Sequence, residues 1–233
     1  MSSEAIILAG GLGTRLRSVV SGLPKCMAPV SGKPFLYFVI EQLKRNGIRK
    51  FIFSLGYKHE MIEEWLRDQY PELAIECSVE EEPLGTGGAI KLACNQASEE
   101  NVLVLNGDTF FNIDLQLLAD FHKANHSDCT LSLKPMMHFD RYGVVELDKE
   151  HRVTSFKEKR YYEEGFINGG IYALEVKHFL REELPPKFSF EKDYMEQYFT
   201  KRNMFGLVQD EYFIDIGIPE DYERAQEELR IFN

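Results

Sequence analysis

Short apolar runs alternate with helix-periodic segments over the first 135 residues, and this alternation restricts the fold more than any other feature of the chain. "AIILA" from Ala5, "KFIFSL" from Lys50, "AIECSVE" from Ala74, "NVLVLNGD" from Asn101 and "CTLSLKP" from Cys129 have the length and apolar continuity of buried strands. Between them, "PFLYFVIEQLKRNG", "HEMIEEWLRDQY", "TGGAIKLACNQA" and "LQLLADFHKAN" repeat apolar residues at helical spacing. The first of these has Pro34 near its start and Gly47 at its end; the last follows Asp114, a capping residue. Strands that alternate with helices build right-handed βαβ units, so the expected fold is α/β, a Rossmann-like mixed and mostly parallel sheet flanked by helices.

The texture changes after residue 135. "YGVVELD", "RVTSFKEK" and "FINGGIYALE" read as strands joined by short turns, expected to pair antiparallel on the same sheet. "FEKDYMEQYFTK" reads as a helix, "MFGLVQ" as a strand and "PEDYERAQEELR" as a closing helix with Pro219 in its first turn. With no linker, repeat or low-complexity tract, one domain over 1–233 is expected, in two halves, 1–135 and 136–233.

Bulk properties exclude several classes. The net charge of −11 opposes nucleic acid and anionic lipid, so any bound phosphate must meet a local basic cluster. Cys26, Cys77, Cys94 and Cys129 are widely spaced, which suggests neither a zinc site nor a disulfide framework. Met1 to Glu4 lack a basic leader region and no apolar run is long enough to span a bilayer, so neither a membrane nor a secretory signal is expected and a cytoplasmic protein is.

The stretch "LAGGLGTRLR" places Gly10, Gly11 and Gly13 directly after the first strand, with Thr14, Arg15 and Arg17 at the exit. Such a loop offers backbone N–H groups to an anion. It is not a dinucleotide fingerprint, because Leu16 stands where a third glycine is needed and the second strand ends in "SLGY" without a ribose-binding acid. An oxidoreductase of that type is therefore excluded. It is not a Walker A loop either, since no G-x-x-x-x-G-K-[ST] occurs. Asp108 closes the apolar run "NVLVLNGD", where a carboxylate points into the ligand crevice of such sheets. Asp215 in "FIDIG" is a second acid of the same kind, and together they form a hard oxygen pair suited to Mg²⁺.

"LAGGLGTRL" followed by "LPKCMAPVSGKPFL" resembles the amino-terminal signature of the sugar-1-phosphate nucleotidyltransferases. "EEPLGTGGAI", "VLNGD", "YGVVELD", "FKEK", "INGGIY" and "DIG" follow in the matching order, so the resemblance spans the chain. It implies that residues 1–135 bind the nucleotide and 136–233 the sugar phosphate. It assigns Arg15 to the β- and γ-phosphates, and Lys25 to the α-phosphate and the incoming sugar phosphate. Leu8, Ala9, Gly10, Gly11, Gly13, Thr14, Glu80, Pro83, Gly85, Thr86 and Gly107 fall on nucleotide-binding positions. Gly143, Glu158, Lys159, Asn168 and Gly169 fall on sugar-phosphate positions. Lys159 is preferred to its neighbour Lys157, although Arg160 stands where the family carries a proline. Gly85, Thr86 and Gly87 are expected to let a flat base approach the backbone.

Glu80 aligns with the position that touches the edge of the base. A carboxylate accepts both the N1–H and the amine of guanine, whereas the single donor of uracil or thymine is flanked by acceptors that a carboxylate repels. GTP and a sugar 1-phosphate are the expected substrates. The wording of the first segments is most similar to the D-glycero-α-D-manno-heptose 1-phosphate guanylyltransferases, which supply GDP-heptose for bacterial surface glycans. Mannose 1-phosphate guanylyltransferases and N-acetylmuramate 1-phosphate uridylyltransferases are the rival readings. A catalytically silent, nucleotide-sugar-binding regulator is a further alternative, against which Arg15, Lys25, Asp108 and Asp215 are all present. Association into a homo-oligomer is left open.

Overall fold

The computed structural model describes residues 3–11, 20 and 22–232. In chain order the first half runs β1 (Glu4–Leu8), β2 (Pro29–Val30), β3 (Lys33–Pro34), α1 (Phe35–Arg45), β4 (Lys50–Leu55), α2 (His59–Gln69), β5 (Ala74–Val79), α3 (Gly85–Ala93), β6 (Asn101–Asn106), β7 (Thr109–Phe111) and α4 (Leu115–Ala124). The second half runs β8 (Cys129–Phe139), β9 (Val144–Leu147), β10 (Val153–Lys157), β11 (Tyr162–Glu175), α5 (Val176–Leu180), α6 (Glu196–Tyr198), β12 (Met204–Val208), β13 (Phe213–Asp215) and α7 (Pro219–Glu228).

Seven strands form one sheet in the order β12-β8-β11-β6-β1-β4-β5. Every neighbouring pair is parallel except those made by β11, which runs against both β6 and β8. The sheet takes strands from both halves of the sequence, and residue 135 falls inside β8. Side chains alternate between two buried layers. Ala5, Ile7, Phe51, Phe53, Leu103 and Leu105 face a layer with α1 and α7, whereas Ile6, Ile52, Val102, Val104 and Tyr172 face one with α3. Two apolar faces demand helices on both sides, which explains the near-continuous hydrophobic strands. Each fully buried Ile, Leu or Phe contributes about 1.5–3 kcal/mol.

Asp114 caps α4 as expected, its carboxylate accepting from the Leu117 N–H at 2.9 Å. Two expectations for the second half are corrected. β9 and β10 do not join the main sheet; they pair with one another in a separate two-stranded sheet, and only β11 enters the main one. Residues Phe190–Met195 form a π-helical turn that leads into the short α6 rather than a regular helix. Ser189 caps that turn by accepting the Lys192 N–H.

Candidate active site

The strand order reverses where β1 lies beside β6, and the ends of these two strands define the site. Open α/β sheets bind ligands at such switch points, outside the carboxyl ends of the strands. The Gly107 N–H donates to the Leu8 carbonyl at 2.9 Å. A Cβ on Gly107 would stand 2.7 Å from that oxygen, so only glycine permits this closeness. The next residue is Asp108, and its carbonyl accepts from the Ile216 N–H. β13 pairs with β7 in the register Asp215↔Thr109, which brings the second acid beside the first. β7 is in turn fixed from behind, because the buried Gln42 of α1 donates to the Phe111 carbonyl at 2.5 Å.

Lys25 enters between the acids. It opens a single 3-10 turn, Lys25–Met27, held by the Met27 N–H bonded to the Pro24 carbonyl. Its ammonium lies 2.5 Å from Asp108 Oδ2 and 3.3 Å from Asp215 Oδ1. Burial alone would lower the Lys25 pKa, but the Asp108 and Asp215 carboxylates outweigh it and hold the ammonium above its ordinary range. Burial pushes the Asp215 carboxyl up, and the charge of Asp108 adds to this; Lys25 and the Gly217 N–H offset them only in part. Two acids and one cation thus leave a net negative site.

These three residues open onto a cleft of about 820 Å³. Gly143, Glu158, Lys159, Asn168 and Gly169 also line it. Lys157 is paired with Glu146, whereas Lys159 makes no ion pair among the described residues. Arg160, in the place of the family's proline, lays its guanidinium over the Tyr162 ring at 5.1 Å. Asn168 donates to the Tyr172 hydroxyl at 2.9 Å and accepts from the Gly170 N–H at 3.0 Å, shaping the irregular part of β11. A Cβ at Gly143 would meet the Lys157 carbonyl at 2.4 Å, and one at Gly169 the Phe111 ring at 2.4 Å. Both glycines are therefore needed for packing at the floor of the cleft.

A family model described as nucleotidyl transferase matches residues 4–230. The chain belongs to the nucleotidyl transferase family. It is 52% identical over 227 residues to the D-glycero-alpha-D-manno-heptose 1-phosphate guanylyltransferase of Aneurinibacillus thermoaerophilus, covering 97% of this chain and 98% of that one. It is 48% identical over 219 residues to the enzyme of the same name from Campylobacter jejuni, covering 94% and 96%. The fold is similar to HddC from Yersinia pseudotuberculosis, solved in complex with GMP-PN, with a TM-score of 0.87, 39% identity and coverage of 98% and 100%.

In this nucleotidyl transferase, Gly10, Gly11, Ala9 and Leu8 lie at the β1 end, while Gly13, Thr14 and Arg15 lie outside the described residues. Glu80 follows β5, with Oε1 3.1 Å from where a Cβ on Gly10 would stand. Its Oε2 accepts from the Leu84 N–H at 2.8 Å, which fixes the turn containing Pro83. Burial pushes the Glu80 carboxyl up despite that bond.

The glycines of "LGTGG" also have a packing role that the sequence does not announce. A Cβ on Gly85 would meet the Phe188 carbonyl at 2.6 Å, and one on Gly87 the Phe188 ring at 2.1 Å. Their openness is used by the 186–188 segment, which packs onto the start of α3. Thr86 belongs to the same clasp, accepting from the Phe190 N–H at 2.9 Å.

Sequence reasoning missed one wall of the cleft. Tyr142, Ser189, Glu191, Lys192 and Glu196 line it. All but Tyr142 come from the π-helical turn or its ends, where a helical reading gave no preference to any one face. The signal that could have found them is the polar run in "SFEKDYMEQ" between apolar residues, beside a proline-rich entry at Pro185 and Pro186.

Proposed function

We propose that this protein joins D-glycero-α-D-manno-heptose 1-phosphate to the guanylyl group of GTP, giving GDP-heptose and pyrophosphate. The observation that carries the reading is near-full-length identity to two heptose 1-phosphate guanylyltransferases, at 52% and 48%. Lys25, Asp108 and Asp215 meeting at the switch point support it chemically.

A phosphate oxygen of the sugar 1-phosphate attacks the α-phosphorus of GTP, the bond to the β-phosphate oxygen breaks, and pyrophosphate leaves. The nucleophile is already an anion, so no general base is needed. The barrier comes from bringing two anions together and aligning them. In this reading Lys25 neutralises charge where the two phosphates close on one another. Arg15 holds the β- and γ-phosphates through its planar fork. Lys159, which has no carboxylate partner among the described residues, receives the sugar's phosphate. Glu158 and Asn168 accept and donate to sugar hydroxyls. Glu80 pairs with the guanine edge, while the backbone at Gly10, Gly11 and Gly107 lies under the nucleotide.

Mg²⁺ fits the pair Asp108 and Asp215. Mg²⁺ is held by one or two carboxylates together with substrate phosphates. Asp108 and Asp215 are two such carboxylates, brought together at the strand ends by the β7–β13 register. Bound there, Mg²⁺ would supply charge neutralisation on the triphosphate.

Among the described residues no helix is long and apolar enough to cross a membrane. A cytoplasmic setting, where GTP is available, accords with the proposed reaction. The test is pyrophosphate release over a grid of four nucleoside triphosphates and several sugar 1-phosphates. GTP with the heptose 1-phosphate should be fastest. A preference for UTP with N-acetylmuramate 1-phosphate, or for GTP with mannose 1-phosphate, would assign the chain to another member of the family.

A further inference from the structure

The cleft carries both signs of charge. Lys25, Lys159 and Lys192 line it as cations, and Glu158, Glu191 and Glu196 line it as acids. Asp108 and Asp215, which line the same cleft, pair with Lys25, so the remaining acids are the ones available to the hydroxyls of the sugar. Glu158 has that task in the reading above. Glu191 stands on a different wall, in the turn Phe190–Met195, and nothing said so far uses it.

Glu191 is held in place from the nucleotide half. Its Oε2 accepts from Thr86 Oγ1 at 2.7 Å and from Ser189 Oγ at 3.0 Å. Thr86 Oγ1 also accepts from the Phe190 N–H at 2.9 Å, so the whole turn is tied to the start of α3. Oε1 makes no hydrogen bond among the described residues. One oxygen is therefore fixed by two hydroxyls and the other is left for a ligand. Glu158, Glu191 and Glu196 line the same cleft. π-Helical turns of this kind occur often at functional sites.

We propose that Glu191 is the specificity residue that recognises the hydroxylated side chain of the sugar, distinguishing a heptose from a hexose of the same ring. The proposal rests on the heptose reading above. A heptose differs from the corresponding hexose by one more hydroxylated carbon, which makes its side chain a vicinal diol. A carboxylate held by its far oxygen accepts two adjacent hydroxyl donors, and a hexose side chain supplies only one. Thr86 acts as a positioning residue for that carboxylate.

The experiment measures kcat/KM for D-glycero-α-D-manno-heptose 1-phosphate and for mannose 1-phosphate, with GTP saturating, in the wild type and in Glu191→Gln, Glu191→Ala and Thr86→Val. The heptose value should fall about 10- to 100-fold in the Glu191 variants, the range for losing hydrogen bonds to a charged group. The mannose value should change by less than about 3-fold, so the ratio of the two collapses. Thr86→Val should shift the ratio in the same direction by a smaller factor, which keeps the test open if a Glu191 variant folds poorly. Equal losses on both sugars, or an unchanged ratio, would overturn the assignment of Glu191 while leaving the heptose reading intact. A wild type that prefers mannose 1-phosphate would overturn both.

Discussion

The ammonium of Lys25 lies 3.3 Å from the carboxylate of Asp215, 190 residues later in the chain, and 2.5 Å from Asp108 on its other side. The first contact joins the opening quarter of the sequence to its end. The second joins it to the middle. This cluster exists only when β7 and β13 have paired and the 24–28 turn has closed over them.

Removing the cation should therefore damage turnover more than folding. Lys25→Ala should lower kcat by about 10²-fold or more, the scale for losing one charged stabiliser in a transition state, with little change in the KM for GTP. Arg15→Ala should act chiefly on the KM for GTP. Steady-state kinetics showing the opposite division would exchange the two roles.

The two neighbouring lysines should behave differently although both line the cleft. Lys159→Ala should raise the KM for the sugar 1-phosphate by about 10-fold or more, as expected for losing a charge-assisted contact to phosphate. Lys157 is held by Glu146 at an exposed position, so Lys157→Ala should shift that KM by less than about 3-fold. An effect of Lys157→Ala as large as that of Lys159→Ala would show that the Glu146 pair opens to meet the ligand.

Base choice can be tested through the amine of guanine. Inosine triphosphate retains N1–H but lacks the amine, and should lose about 1–3 kcal/mol in kcat/KM against GTP, the range for a buried acceptor left unmet. Glu80→Gln should erode discrimination against UTP. Because Glu80 also fixes the Leu84 N–H, an amide that keeps this bond tests base reading without freeing the turn. Equal use of inosine triphosphate and GTP would remove Glu80 from the base site.

Buried His122 predicts a pH dependence of stability far from the site. It is held between Thr130 and Asn101, both at 2.9 Å, and burial pushes its pKa down to about 4. A histidine with a folded pKa below its unfolded one binds fewer protons when folded, so stability falls as pH drops from about 6.5 to about 4. The loss is roughly 3 kcal/mol at about 1.4 kcal/mol per pH unit. Urea denaturation of wild type and His122→Gln should show that excess slope in the wild type alone. Parallel pH profiles would mean that the imidazole is protonated in place.

Much of the main sheet was legible because its strands are buried on both faces and its glycines mark the turns. Residues such as Ile6 and Ile7, which face opposite layers, read as one apolar run whichever way they point. β7, β2 and β3 were missed because two or three residues carry no periodicity. β9 and β10 looked like members of the main sheet because a strand pattern does not name its partner. Asp108, Asp215 and Lys25 were legible as types of residue in a recognisable order. Their contact was not, since it depends on the β7–β13 register. "LGTGG" was legible only in part for a physical reason: a glycine reports close approach without saying of what, and Phe188 is one group that approaches here. The Thr86–Glu191 bond, which spans 105 residues, has no local signature at all.

The most direct test of the central claim follows the atoms. The heptose 1-phosphate, labelled with ¹⁸O in its phosphate oxygens, is incubated with the protein, GTP and Mg²⁺, and the products are weighed by mass spectrometry. If the sugar phosphate attacks the α-phosphorus, all of the label appears in GDP-heptose and none in pyrophosphate. Label in pyrophosphate, or pyrophosphate formed equally well without the sugar 1-phosphate, would contradict the account.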